Sequence, residues 1–329
     1  MGPWYESGTR SAGDAGSGGA GKARLDEIGE RWLKSRTVDP ASQIRYESMW
    51  RLHLQPVFGQ RMVKSIVPSE IAVWLTRLVS TYGVSTARGA FLVLNGCLEL
   101  AVADELIKRN PARSRVVKRP ALAKARVEVW SDETVDRIIA AHPEEFRLIP
   151  ITGSAAGLRQ GEIFGLSPHD LDFDAGVIRV RRQIKRLGKH LVYALPKNDT
   201  ERVVPMPSSY ATIAREHIER FGATAVSLPW EHEDGEIETV DLLFIWQDGR
   251  PLRARLFDEV VWKPAVSASG VIPPPTKDAR GRRRYITNRK AGMHALRHYY
   301  ASITLADGVN VKELSEYLGH HDPGFTLEQ

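Results

Sequence analysis

The chain has 329 residues, 42% of them hydrophobic and 26% charged, with a net charge of +6 and a pI near 9.4. That length accommodates two domains of ordinary size, and the single cysteine, Cys97 in an apolar helical run, excludes an intramolecular disulfide and reads as a buried structural thiol. No apolar run reaches about 18 residues and the N-terminus lacks a signal-peptide core, so a cytoplasmic chain with no membrane span is expected, its basic balance pointing weakly to a polyanionic partner.

Residues 1–23 are rich in Gly, Ser and Ala and read as a flexible arm, too poor in apolar surface to offset ordering entropy. A helix is predicted over Leu25–Lys34, with Leu25, Ile28, Trp32 and Leu33 on one face. Asp39-Pro40 is a helix start, and Ile44, Met49, Trp50 and Leu52 are candidate core positions. Pro68-Ser69-Glu70 opens a third helix stopped by Gly83, and Ser85 opens a fourth that runs to about Glu105. Residues 24–112 therefore read as a small helical bundle with its own core.

Residues 113–126 change character. Arg113, Arg115, Lys118, Arg119, Lys124 and Arg126 occur with Pro120 and no acid, which reads as a basic linker between domains. So many cations without an anion repel one another unless a polyanion neutralises them, and a nucleic-acid backbone does so well.

From residue 127 the pattern becomes mixed. Trp130-Ser131-Asp132-Glu133 starts a helix, and another follows Pro143. The period then shifts to two. Val177–Val180, Leu191–Leu195 and Arg202–Met206 read as short strands, with Gly188 and Asn198-Asp199 at turns. Helix returns from Ser208. Residues 223–239 are acidic and read as an inserted loop, Leu242–Trp246 as a short strand, and Ala254–Lys263 as a helix. Residues 271–290 form a second insertion, Pro-rich and then dense in Lys and Arg. The fold class expected is α+β, mostly helical, with a helical N-terminal bundle and a mixed C-terminal domain carrying a small antiparallel sheet.

Residues 293–321 hold the densest chemistry. His294 and Arg297 are three apart and share one helix face. A guanidinium offers a rigid fork of donors to two phosphate oxygens, and an imidazole gives or takes a proton near neutral pH. An HxxR pair alone is common on solvated helices. This chain adds Gly157-Leu158-Arg159-Gln160-Gly161-Glu162, then Lys197 in a strand–turn–strand, and finally Leu318-Gly319-His320.

In order and spacing these five positions resemble the tyrosine recombinases of the phage-integrase family, over about Arg24 to the last residue. The resemblance implies a site-specific DNA recombinase of a phage or integrative element. A tyrosine hydroxyl would attack a DNA phosphodiester, form a 3′-phosphotyrosyl bond and release a 5′-hydroxyl, with no ATP, metal or other cofactor. It implies that Arg159 and Arg297 clamp the phosphate, Lys197 protonates the leaving oxygen, His294 accepts a proton or binds phosphate, and His320 hydrogen-bonds the phosphate. Glu162 resembles the acid that braces the first arginine. The N-terminal domain (24–112) corresponds to the family's SAM-like core-binding bundle, residues 127–329 to its catalytic domain. Implied partners are double-stranded attachment sites, other copies in a tetramer, and an accessory directionality factor.

The departure is the nucleophile. The family's tyrosine follows the LGH histidine by nine or ten residues, which lands on Gln329 or one residue beyond it. The stretch TLEQ favours the second register, so the expectation is a chain that stops short of its tyrosine. Tyr299 and Tyr300 match helix-packing aromatics, and Tyr317 precedes LGH on the wrong side. The alternative expectation is a DNA-binding protein of the same fold without cleavage activity. His320-His321-Asp322 as a metal site has no HExxH or Cys pair to support it.

Overall fold

The computed structural model describes residues 23–122, 128–197, 199–286 and 289–319 and divides into two units, Met1–Lys124 and Ala125–Gln329. The expected arm over residues 1–22, Lys124 and Arg126 of the basic run, Asn198, and everything from His320 onward lie outside the described residues.

The first unit is a helical bundle. Helix α1 (Leu25–Lys34) buries Leu25, Ile28, Gly29 and Trp32, one stripe at helical spacing. Helix α2 (Pro40–Met49) starts at Asp39, whose carboxylate accepts the N–H groups of Ala41 and Ser42 at 3.1 Å each. It runs directly into wide π turns over Trp50–Gly59. Here the expected core list is corrected. Of Ile44, Met49, Trp50 and Leu52 only Trp50 is buried, and Ile44 and Leu52 are 41% and 56% exposed. Trp50, Leu54 and Phe58, four residues apart, point inward, and Leu52, two residues on from Trp50, lies on the opposite side. Helices α3 (Pro68–Tyr82) and α4 (Val84–Ala103) meet at Gly83, which turns the chain at a φ of 85°.

By length and composition α4 could cross a membrane. Its stripe of Ala87, Ala90, Val93, Leu94, Cys97, Leu98 and Ala101 is instead buried within the bundle core. Gly96 belongs to the same close packing. A Cβ there would lie 2.5 Å from the Trp32 indole.

The basic run is also corrected. Asn110 accepts the Ala112 N–H at 2.8 Å and starts a 3-10 turn, Pro111–Arg113. Ala112 and Val117 are buried in the bundle core, and Arg113 pairs with Glu99 of α4 at 2.6 Å. Up to Val117 this segment is part of the bundle rather than a free linker. Local composition concealed this because the acid sits one helix earlier.

The second unit opens with α5 (Asp132–Ala140), α6 (Leu148–Ala156) and α7 (Gln160–Phe164). A three-stranded antiparallel sheet follows in the order β1 (Leu171–Asp172), β2 (Val177–Val180) and β5 (Arg202–Pro205). Between β2 and β5 stands a hairpin of β3 (Gln183–Leu187) and β4 (His190–Ala194), turned at Gly188 with a φ of 54°. The sequence reading missed β1 and β3. Strand β1 is only two residues long, and in β3 Lys185 and Arg186 obscure the apolar pair Ile184 and Leu187.

After α8 (Ser208–Phe221), the acidic segment expected as a loop is a hairpin of β6 (Thr224–Pro229) and β7 (Ile237–Leu242) in continuous antiparallel register. Val226, Val240 and Leu242 are buried on it, and the Tyr193 hydroxyl donates to Val226 O at 3.0 Å. Alternation, not mean polarity, was the relevant signal there. Leu243–Trp246 is not a strand, although Leu243 and Phe244 are core.

The helix expected near Ala254 is built from α9 (Ala254–Phe257), π turns over Asp258–Trp262 and α10 (Lys263–Ala268). The second insertion carries a small hairpin, β8 (Thr276–Lys277) with β9 (Arg283–Arg284). Helix α11 (His294–Ala306) and helix α12 (Val311–Leu318) end the described chain.

Helix α6 is the centre of this unit, packed against α8 and α11. A Cβ at Gly153 of α6 would lie 3.0 Å from Leu296 of α11, so a small residue there lets the two helices approach closely. That approach matters because Arg159 follows α6 and Arg297 lies on α11.

Candidate active site

Helix α6 ends at Gly157 in the left-handed region, φ 62°. A side chain there would be strained, and its Cβ would also fall 2.3 Å from Tyr300. The chain thus turns sharply and presents Arg159 as the N-cap of α7. Glu162, the third residue of that helix, reaches back to accept the Arg159 N–H at 2.8 Å and its guanidinium at 2.9 Å.

Glu162 is fully buried and holds a second cation. Arg202, the first residue of β5, donates to its two carboxylate oxygens at 2.9 and 2.6 Å. Burial alone would raise the Glu162 pKa. The hydrogen bonds and charge of Arg202, then the charge and backbone N–H of Arg159, outweigh it and bring the value to about 2.

The same arginines converge on one helix end. Arg202 donates to Tyr317 O at 2.7 Å, Arg297 donates to Leu318 O, and Arg159 donates to Gly319 O at 3.3 Å. Three consecutive carbonyls at the end of α12, the groups a helix leaves without internal partners, thus each receive one guanidinium. The negative end of the helix dipole favours cations there. Arg297 is buried and donates also to Gly157 O at 2.6 Å, which ties α11 to the turn that carries Arg159. Burial, with the charge of Arg159 next, lowers the Arg297 pKa to about 9, so it remains a cation at neutral pH.

His294, one turn before Arg297, packs edge-on against His298 with ring centroids 4.6 Å apart. One side of it is open to solvent. Desolvation of its packed side lowers its pKa to about 4, helped by the charges of His298, Arg297, Arg159 and Lys197. It is therefore neutral at pH 7, within the electrostatic reach of all three cations. Lys197 is exposed on the segment joining β4 to β5.

A model of the phage integrase family matches residues 135–328, more than half of the chain. This chain belongs to the phage integrase family. The prophage phiRv2 integrase of Mycobacterium tuberculosis is 24% identical over 310 residues, covering 93% of this chain and 73% of that protein. In fold, the chain is similar to the Tn1549 transposon integrase in complex with transposon right end DNA. The TM-score is 0.73 at 20% identity, over 93% of this chain and 94% of that one. It is also similar to lambda integrase, solved as a tetramer bound to a Holliday junction, with a TM-score of 0.65 at 17% identity over 96% and 83% of the two chains. The fold expected from the sequence, a helical bundle followed by a mostly helical domain with small antiparallel sheets, is the fold of a tyrosine recombinase.

In this phage-integrase chain the structure gathers Arg159, Glu162, Arg297, His294 and Lys197 in one region of the second unit. His320 lies outside the described residues, directly after Gly319. Arg113, Arg115, Lys118 and Arg119 belong to the first unit, where Arg113 is engaged by Glu99. Sequence reasoning missed Arg202. Its one signal was a charged residue heading an apolar strand, five positions after Lys197, and its partners lie 40 and 115 residues away. The tyrosines near the site are already engaged. Tyr299 donates to Asp132 at 2.8 Å, Tyr317 donates to Glu313, and Tyr300 is buried against the Gly157 turn.

Proposed function

We propose that this integrase-family chain cleaves and rejoins duplex DNA at attachment sites of a phage or other integrative element, through a 3′-phosphotyrosyl intermediate. The observation that supports this best is the convergence of Arg159 and Arg297 on the end of α12, beside a neutral His294. Two guanidiniums already oriented by Glu162 and by backbone carbonyls cost little reorganisation when negative charge gathers on nonbridging phosphate oxygens.

In this reading the phenol oxygen of a tyrosine attacks phosphorus and the bond to the 5′ oxygen breaks. Neutral His294 takes the phenolic proton and the Lys197 ammonium supplies one to the leaving 5′ oxygen. Arg159 and Arg297 stabilise the oxyanions, His320 hydrogen-bonds the phosphate, and Glu162 positions Arg159. The phosphodiester energy is kept in the phosphotyrosine, so the reaction uses no cofactor. The phenol would come from the tyrosine that the family carries nine or ten residues after the LGH histidine. Duplex DNA would also contact Arg115, Lys118 and Arg119, together with Lys124 and Arg126, and copies of the chain would act as a tetramer with a directionality factor.

The test extends the chain in its own reading frame past Gln329 and incubates it with a nicked attachment-site duplex. A covalent protein–DNA adduct is expected, unaffected by chelator. Arg297→Ala and Arg159→Ala should abolish the adduct while largely sparing DNA binding. Binding without any adduct would leave a DNA-binding protein of this fold and defeat the enzyme reading.

A further inference from the structure

The hairpin of the second insertion has no part in the site described above, yet it is built with care. Between Thr276 and Arg284 stand five cations, Lys277, Arg280, Arg282, Arg283 and Arg284, against one carboxylate, Asp278. Both strands are only two residues long and exposed on both faces, so no burial stabilises them.

Asp278 supplies the order instead. One of its oxygens accepts the N–H groups of Arg280 and Arg282 at 2.9 Å each, which shapes the turn around Gly281, φ 73°. The other accepts the Nε–H groups of Arg282 and Arg284 at 3.2 and 3.1 Å. The carboxylate thus draws two like charges together and sets the turn. Lys277, Arg280 and Arg283 are exposed and have no carboxylate partner among the described residues.

The hairpin is also tethered at both ends. Ile272 is buried before it, and Ala291, buried after it, accepts the Trp262 indole N–H at 2.8 Å. His294 follows three residues later. From Arg284 to His294 the chain can span at most about 35 Å, roughly one turn of duplex.

A solvated charge run would explain cations spread along a loop. It does not explain a carboxylate used to hold a two-stranded turn whose remaining surface is cationic. Ordered like charges need a polyanion of regular spacing. We propose that the Thr276–Arg284 hairpin is a second phosphate-binding element, which grips the duplex backbone outside the cleaved phosphodiester and within about one helical turn of it. The proposal rests on the reading of this chain as a DNA recombinase.

The experiment measures binding of the full chain to a random-sequence duplex several turns long, across a range of salt. Replacing Lys277, Arg280 and Arg283 together by Gln should lower the slope of log K against log salt by about 3, since each lost phosphate contact removes about 0.9. Asp278→Ala separates the proposal from simple charge counting. It adds one net positive charge, so charge counting expects tighter binding. The hairpin reading expects binding several-fold weaker, because the turn and the two guanidiniums lose their common anchor. Both variants should keep the parent's melting temperature, as no side chain between Thr276 and Arg284 is buried.

An unchanged slope in the triple variant, or tighter binding by Asp278→Ala, overturns the hairpin assignment alone. Failure of the parent chain to bind duplex at all overturns the DNA reading first.

Discussion

Glu162→Gln is the perturbation that interrogates the site most directly. It keeps the shape and removes the charge shared by Arg159 and Arg202 at a position with no solvent exposure. The Arg202 side chain is itself only 7% exposed, so water cannot replace the carboxylate. Removing one partner of a buried ion pair costs about 3–5 kcal/mol.

Linkage gives an independent figure. The folded pKa of about 2 lies below the ordinary glutamate value of 4.5. A depressed carboxylate contributes stability that is fully present above pH 4.5 and is lost as pH falls toward 2. A gap of that size corresponds to about 3 kcal/mol. Urea unfolding at pH 7 should therefore show Glu162→Gln destabilised by about 3 kcal/mol, equivalent to roughly 10 °C in Tm for a unit of this size. The parent should lose a similar amount between pH 4.5 and 2, and the variant should not. Adding Arg202→Met to Glu162→Gln should recover part of the loss, because the orphaned cation is then gone. A Glu162→Gln variant within 1 kcal/mol of the parent at pH 7, with an unchanged acid transition, would refute the argument.

Three further outcomes are expected. The His294 imidazole should titrate in NMR near pH 4, below the usual 6.5, and should move upward when a phosphate oxyanion binds beside it; titration near 6.5 in the free protein would contradict its packing. Its contribution to stability is present above pH 6.5 and declines as pH falls toward 4. Gly157→Ala should destabilise the second unit by more than about 1 kcal/mol in urea melts, since a positive φ and the Tyr300 ring both oppose a methyl group there. Burial pushes the Cys97 thiol up to about 12, so alkylation by a neutral-pH thiol reagent should proceed only as the first unit unfolds; rapid labelling of the folded chain would show that α4 is not the bundle's core helix.

Where the sequence reading succeeded, the signal was local. Leu25, Ile28 and Trp32 announce their helix by spacing, Asp39-Pro40 and Gly83 mark ends by backbone chemistry, and the helical face of His294 and Arg297 follows from a three-residue interval. Where it erred, local composition misled. Leu52 is apolar but sits two residues on from buried Trp50, on the opposite side of the same turns, and is exposed. The acidic composition of residues 223–239 hid the alternation of β6 and β7, and the apparently anion-free basic run had its acid, Glu99, a helix away.

The order of the motifs, the residue types able to hold a phosphate, and most helix boundaries could be read along the chain alone, because those depend on neighbours within a turn or two. That Glu162 serves two arginines, that Arg202 belongs to the site, and that three guanidiniums meet three successive carbonyls at the end of α12 emerges only from the folded chain. The sharp downward shift of the Glu162 pKa comes from that convergence, and the lowered pKa of His294 comes first from its burial and then from His298 and the arginines beside it. Burial and Coulombic coupling act through space over separations of 21 to 160 residues, a distance at which sequence spacing carries no geometric information.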